Sequence, residues 1–257
     1  MELKTSFSKG VYRITLNRPE VFNSFNQSMA FALQKELDSC AENDAIRVVV
    51  LSGSGKAFCA GQDLAEATDP NGPKLNDIVK EHYNPIVLKI RNLEKPVIAA
   101  VNGVAAGAGA NIALACDITI AHENASFIQA FSKIGLIPDS GGTYFLPRII
   151  GVQKALSLMI TGDKISAKEA EVLNMIYKSV NDENYELEVS RLANQLAEMP
   201  TKAFGLTKRA INQSYSNSLK EQLQLEETLQ TEAGNTDDFQ EGVQAFLEKR
   251  KAKFKGK

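Results

Sequence analysis

The chain has 257 residues, 44% of them hydrophobic and 23% charged. That length suits one or two domains, and the apolar fraction excludes an intrinsically disordered chain. With 29 Lys and Arg against 31 Asp and Glu the formal net charge is -2, which argues against a general nucleic-acid binder or a membrane-surface protein.

In chain order, two short β-rich runs come first, residues 3–7 and 11–17, parted by the turn-like Ser8-Lys9-Gly10. Pro19 ends the second, because proline cannot donate to a strand ladder. Residues 26–41 place Met29, Leu33, Leu37 and Cys40 at helical spacing, with Asn26 as the N-cap. Residues 47–51 read as a buried strand broken by Gly53-Ser54-Gly55, and 77–93 as a helix that Pro85 must kink or interrupt. A strand at 97–101, a helix from about Gly107 and a strand at 117–121 follow. This alternation predicts an α/β fold with a mainly parallel sheet. After Gly141-Gly142 the pattern turns to successive helices punctuated by Gly151, Gly162 and Pro200, with one short strand near 176–180. The division expected is an α/β core over residues 1–190 and a helical region over 191–257.

Residues 96–116 carry no charge and imitate a membrane span. Gly103, Gly107 and Gly109 with Asn102 and Asn111 would sit poorly in lipid, so a buried strand, turn and helix is the better reading. No membrane or nucleic-acid partner is expected. The first ten residues lack an apolar core and do not read as a signal peptide. Cys40, Cys59 and Cys116 have no CxxC spacing and read as reduced thiols of a cytoplasmic protein. His82 and His122 are too few for a multi-histidine metal centre. Gly107-Ala108-Gly109 falls short of a dinucleotide fingerprint because Ile112 holds the third glycine's place. Gly55-Lys56 is not a phosphate loop, and no Gly-x-Ser-x-Gly elbow occurs.

What remains is a pair of glycine-flanked turns after successive strands. The first is Ala57-Phe58-Cys59-Ala60-Gly61-Gln62-Asp63-Leu64, the second Asn102-Gly103-Val104-Ala105-Ala106-Gly107-Ala108-Gly109. Glycine permits backbone conformations barred to other residues, so such turns can aim free N–H groups at a ligand. A helix N-terminus adds its dipole at the second turn. Two N–H groups converging from adjacent loops form an oxyanion hole, which holds the enolate or oxyanion of a carbonyl substrate. On the pattern alone, tight turns and close helix contact explain the glycines equally well.

Asn17-Arg18-Pro19, residues 57–64 and 102–111, Asp117-Ile118, residues 135–143 and the ending 241–250 resemble the crotonase (enoyl-CoA hydratase/isomerase) superfamily. The motifs stand in order over essentially the whole chain. The resemblance implies a crotonase-like core of repeated ββα-type units and an acyl-CoA thioester substrate. Coenzyme A is then part of the substrate, and no cofactor is bound permanently. It implies the backbone N–H groups of Gln62 and Ala108 as oxyanion donors. Coenzyme A contacts would come from Val21, Phe22, Ala60, Asp63 and Leu64. His82, Tyr83, Asn111 and Phe131 would line the acyl pocket. The family forms homotrimers or dimers of trimers, in which Phe246 and Lys249 would reach coenzyme A on a neighbouring subunit. On charge alone the basic run 249–257 reads as a solvated end.

Hydratases of the superfamily place one glutamate on the helix after the second turn and another upstream of the Ile-Pro segment. Those positions hold Asn111 and Phe131, which cannot supply the two carboxylates that hydration needs. One acid remains, Asp139. Here the chain is similar to the phenylacetate-pathway isomerase subgroup, which acts on ring-epoxidised phenylacetyl-CoA. The expectation is an acyl-CoA isomerase whose single acid/base, Asp139, is desolvated by Phe131, Ile134 and Leu136. By local pattern alone, Asp139 is a helix N-cap before Gly141-Gly142. A hydratase-type enzyme and a non-catalytic acyl-CoA binder stay open as alternatives.

Overall fold

The computed structural model describes residues 2–257. Strands β1 (Leu3–Ser8) and β2 (Val11–Leu16) form an antiparallel hairpin, its turn made by Lys9 and Gly10 at positive φ. Helix α1 (Gln27–Glu42) follows. Asn26 caps it by accepting from the Met29 N–H at 2.8 Å, and Met29, Leu33, Leu37 and Cys40 form its buried stripe.

A strand–strand–helix unit then recurs. Strands β3 (Val48–Gly53) and β4 (Ala57–Cys59) lead into the short helices α2 (Leu64–Ala67) and α3 (Leu75–Asp77), a π-turn (Ile78–Tyr83) and α4 (Asn84–Asn92). Strands β5 (Val97–Val101) and β6 (Val104–Ala106) lead into α5 (Ala108–Ala115). Strands β7 (Ile118–His122) and β8 (Ser126–Ile128) precede a 3-10 turn (Ala130–Ile134), α6 (Gly142–Ile150) and α7 (Val152–Thr161). Strand β9 (Lys164–Ser166), helix α8 (Ala167–Val172) and strand β10 (Lys178–Val180) complete the strands. The first strand of each unit joins a six-stranded sheet, β1-β2-β3-β5-β7-β10, and the second joins a four-stranded sheet, β4-β6-β8-β9. Pairing is parallel except at β1–β2 and β8–β9. Strand β5 is buried on both faces, which explains its unbroken apolar sequence.

Two expectations change, and a third takes a specific form. The strands β4, β6, β8 and β9 were not separated from turns and helices, being three residues each and too short for a period to register. The division at 190/191 falls inside α9 (Tyr185–Ala197), whose Val189 and Leu192 pack with Val48, Val50 and Ile98 on the large sheet. And the kink expected from Pro85 is the π-turn before it. Proline has no N–H for the Glu81 carbonyl and its ring would crowd that oxygen. The widened turn lets the Asn84 N–H reach Val79, while the Gln34 amide donates to the carbonyls of Glu81 and His82 at 2.7 and 3.1 Å.

Helices α10 (Thr201–Ser214), α11 (Leu219–Gly234) and α12 (Asp237–Leu247) close the chain. The basic run after them is not a solvated end. It folds back, Arg250 pairing with Glu241 at 2.6 and 2.8 Å, and the buried Asp238 carboxylate accepting the N–H groups of Lys255 and Gly256 at 2.5 and 2.7 Å. Among the described residues no helix is long and apolar enough to cross a membrane.

Candidate active site

The first turn leaves β4 at Gly61, where φ is +98°. A Cβ there would stand 3.1 Å from the Ala106 carbonyl oxygen and 3.6 Å from the Ala108 nitrogen. Phe25 fixes both peptides flanking Gln62. Its N–H donates to the Gly61 carbonyl at 2.7 Å, and its carbonyl accepts from the Asp63 N–H at 2.8 Å. Between them, the Gln62 N–H meets no acceptor among the described residues.

At the second turn Gly107 takes φ +53° and ψ -127°, a combination open in practice only to glycine. Its N–H donates to the Ile128 carbonyl at 2.9 Å, and α5 starts at once. The Ala108 N–H, first in that helix, is also without an acceptor among the described residues. A Cβ on Gly109 would lie 2.3 Å from the Cys59 carbonyl oxygen, so α5 rests backbone to backbone on β4. The two turns touch: a Cβ on Gly107 would be 4.0 Å from Gly61 Cα and 3.8 Å from the buried Phe131 ring. Two unpaired N–H groups thus come from adjoining rigid turns, one of them at the positive end of a helix dipole, as stabilisation of an oxyanion requires.

Asp139 lies in the loop before α6. Its backbone carbonyl accepts from the Asn111 side-chain amide at 2.9 Å and from the Gly142 N–H at 2.8 Å. Its carboxylate accepts from the Ser140 hydroxyl at 2.9 Å. Burial raises the Asp139 pKa above the ordinary carboxylate value, and the Ser140 hydrogen bond works against that rise. The capping alternative is overturned. Gly141, at φ +77°, is the N-cap of α6, and no side chain caps that helix. Of the three apolar residues expected to desolvate Asp139, Phe131 is buried, whereas Ile134 and Leu136 are 56% and 38% exposed.

Asn111 and His82 were expected to line the acyl pocket, and both are enclosed by protein instead. Asn111 is wholly buried, its amide oxygen accepting from Gln129 at 2.8 Å while its nitrogen holds Asp139. His82 is buried edge-on against Phe31, and desolvation lowers its pKa. Tyr83 is also buried, but it reaches the first turn, donating from its hydroxyl to Gln62 Oε1 at 2.7 Å. Burial keeps that phenol far above its usual pKa, hence protonated.

Ala60 donates to the Phe22 carbonyl at 3.0 Å, bringing Val21, Phe22 and Ala60 beside the first turn. Asp63 caps α2 through the Ala65 N–H at 3.0 Å and pairs with Arg18 at 2.8 Å, so its carboxylate is spoken for within the fold. Leu64 is exposed. Phe246 and Lys249 stand elsewhere, at the end of α12, with Phe246 83% exposed beside a cleft of about 470 Å³. Ser140 and Gln129 also belong to this region, and no motif assigns them a role. Ser140 sits at φ +51°, unusual for a residue with a side chain, and only the paired glycines after it hinted at a special turn. All three cysteines are buried and free, their thiols pushed up to about 12 by desolvation.

The family model described as Enoyl-CoA hydratase/isomerase matches residues 6–257. The chain belongs to the enoyl-CoA hydratase/isomerase family. It is 49% identical over 252 residues to the 1,2-epoxyphenylacetyl-CoA isomerase of Escherichia coli (strain K12), covering 97% of this chain and 96% of the relative. It is 36% identical over 259 residues to the trans-2-decenoyl-(acyl-carrier-protein) isomerase of Streptococcus mutans, covering 100% and 98%. Its fold matches the crystal structure of an enoyl-CoA hydratase from Bacillus anthracis with a TM-score of 0.92, at 35% identity over 100% of both chains. The crotonase-like α/β architecture described above is that of this family.

Proposed function

We propose that this family member is an acyl-CoA isomerase. It would convert 2-(1,2-epoxy-1,2-dihydrophenyl)acetyl-CoA to the oxepin-CoA, shift 3-enoyl-CoA to 2-enoyl-CoA, or do both. The observation that supports it best is the carboxylate inventory: Asn111 and Phe131 replace the hydratase glutamates, and Asp139 is left with a raised pKa. The 49% identity to an epoxyphenylacetyl-CoA isomerase supports the same substrate class.

The thioester carbonyl oxygen sits between the N–H groups of Gln62 and Ala108. Asp139 takes a proton from C2 of a 3-enoyl thioester, and the electron pair moves onto that oxygen as a dienolate. The protonated Asp139 then returns the same proton to C4, which leaves the 2-enoyl product. One acid with a pKa raised toward neutrality suits both halves of this exchange. Hydration would need a positioned water, yet both ends of the Asn111 amide already serve the protein.

Coenzyme A lies along Val21, Phe22, Ala60, Asp63 and Leu64 in this reading. In a homotrimer or dimer of trimers, Phe246 and Lys249 reach the coenzyme of a neighbouring subunit. The deciding experiment offers 3-enoyl-CoA, 2-enoyl-CoA and epoxidised phenylacetyl-CoA separately and follows each product. Double-bond shift or oxepin formation is expected. Efficient conversion of 2-enoyl-CoA to 3-hydroxyacyl-CoA would replace the isomerase reading with a hydratase one.

A further inference from the structure

A backbone donor stabilises a developing charge only if it is already aimed when the charge forms. Gln62 lies in irregular backbone, so something must aim it. Its peptide neighbours are clamped by Phe25 on one side, at 2.7 and 2.8 Å. Its side chain is clamped on the other. Gln62 Oε1 accepts from the Tyr83 hydroxyl at 2.7 Å, and Gln62 Nε2 donates to Glu66 at 3.2 Å. Glu66 in turn accepts the Gln27 N–H, at 3.0 and 3.1 Å, at the start of α1. The chemistry gives this chain one direction. A phenol donates, an amide accepts and passes on, and an acid receives from both sides.

Tyr83 closes the arrangement a second way, because its ring meets the Phe25 ring edge to face with centroids 5.8 Å apart. The residue that clamps the peptides of Gln62 is therefore itself backed by the residue that clamps the side chain. The π-turn that carries Tyr83 buries it together with Ile78 and His82.

We infer that Tyr83 is a positioning residue for the oxyanion site, acting through the side chain of Gln62 to hold the Gln62 N–H in its donating direction. This rests on the reading of Gln62 as an oxyanion donor. The test is the carbonyl stretch of a bound 2-enoyl-CoA labelled with carbon-13 at the thioester carbon, recorded with turnover of whichever isomer the wild type uses. Wild type should shift the stretch to lower frequency. Tyr83→Phe keeps the ring against Phe25 and removes only the hydroxyl. It should lose part of that shift and about tenfold in kcat, below the 10²–10³ that loss of a whole donor costs. KM should stay within about twofold, and the acidic limb of the pH profile, which belongs to Asp139, should not move. Gln62→Met should reproduce the loss, and the double variant should add nothing to it. An unchanged carbonyl shift and kcat in Tyr83→Phe, or losses that multiply in the double variant, would overturn the inference. A wild-type carbonyl that is not shifted would remove the oxyanion reading itself, and the role of Tyr83 with it.

Discussion

Two stretches of irregular backbone in this chain solve opposite problems. The basic run 249–257 pairs its N–H groups with carboxylates: Glu241 takes that of Lys253, and Asp238 takes those of Lys255 and Gly256. The glycine turns do the reverse. The peptides flanking Gln62 are bonded to Phe25 and the Gly107 N–H to Ile128, while the Gln62 and Ala108 N–H groups face no acceptor among the described residues. An unpaired N–H in a loose loop is only a solvated group. In a frame held by Phe25, Ile128 and a glycine contact on Cys59 it becomes a binding device, because water cannot be replaced by a rearrangement of the protein.

The comparison is broken most severely at the charge that the turns are read to serve. Asp139→Asn should lower kcat by about 10²–10⁴, the usual worth of a positioned acid–base group. Since Gly141 and not Asp139 caps α6, Asp139→Ala should lose as much activity with no additional loss of helix stability. Burial raises the folded-state pKa of Asp139. As a base it must be ionised, so activity should fall as pH drops through a value above the ordinary carboxylate range. Stability runs the other way. The folded state holds this proton more tightly than the unfolded chain, so its contribution is present at low pH and lost as pH rises through the folded pKa. Asp139→Asn should thus melt higher than wild type at neutral pH, with the gap closing in acid. A lower melting temperature for the Asn variant at neutral pH would contradict the burial argument.

Gly107→Ala strikes the frame rather than the charge. A Cβ there meets only ordinary contacts, at 3.8 Å or more, so the damage comes from φ +53° and ψ -127°. Strain of about 1–3 kcal/mol is expected. If the turn relaxes to escape it, the Ala108 N–H swings away and kcat falls about 10²-fold, as for loss of one donor. Thermal melting with kinetics separates strain from misaiming. A destabilised variant with full activity has kept the strained turn and its aim, whereas full activity at an unchanged melting temperature would mean that the turn has relaxed and the Ala108 N–H is not a donor.

How far these features could be read in advance follows from their length and periodicity. Helix α1 and the strands β3 and β5 announced themselves through runs longer than one period, and the glycine turns through a motif. The second sheet did not, because its strands have three residues each, and β4 and β6 lie inside that motif. His82 was expected in the acyl pocket, and no 3.6-residue pattern anticipates the π-turn that buries it. Asp139 looked like a cap because Asp before paired glycines often is one. Only coordinates reveal that Ser140 turns left-handed and leaves the capping place to Gly141. The tail looked solvated because it is a run of basic charges, whereas it is held by the Arg250–Glu241 pair and by its own peptide N–H groups on Glu241 and Asp238.

Asp238→Ala probes the other member of the comparison. It leaves the Lys255 and Gly256 N–H groups without their acceptor beside a buried position, at a cost of about 1–3 kcal/mol. In a chain of this size that lowers the melting temperature by roughly 2–4 °C for each kcal/mol. The kcat of the remaining folded enzyme should stay within about twofold. A collapse of kcat at an unchanged melting temperature would place the tail in the catalytic site and dissolve the contrast.

The smallest effect belongs to Ser140, and it is the sharpest on mechanism. A non-glycine residue at φ +51° is held there at some cost, and glycine would avoid that cost. The hydroxyl is what serine contributes: it donates to the Asp139 carboxylate at 2.9 Å. A donor to a carboxylate favours the charged form, so it lowers a pKa that burial raises. Ser140→Ala removes the donor and keeps the backbone type. The acidic limb of the activity profile should then move to higher pH. At a pH well above that limb, kcat should change by no more than a few-fold, because the base is present and only its orientation has loosened. Ser140→Gly should shift the limb equally while relieving the strained φ, so its melting temperature should be at or above that of Ser140→Ala. A limb that moves to lower pH, or not at all, would mean that Asp139 is not the group titrating in the reaction.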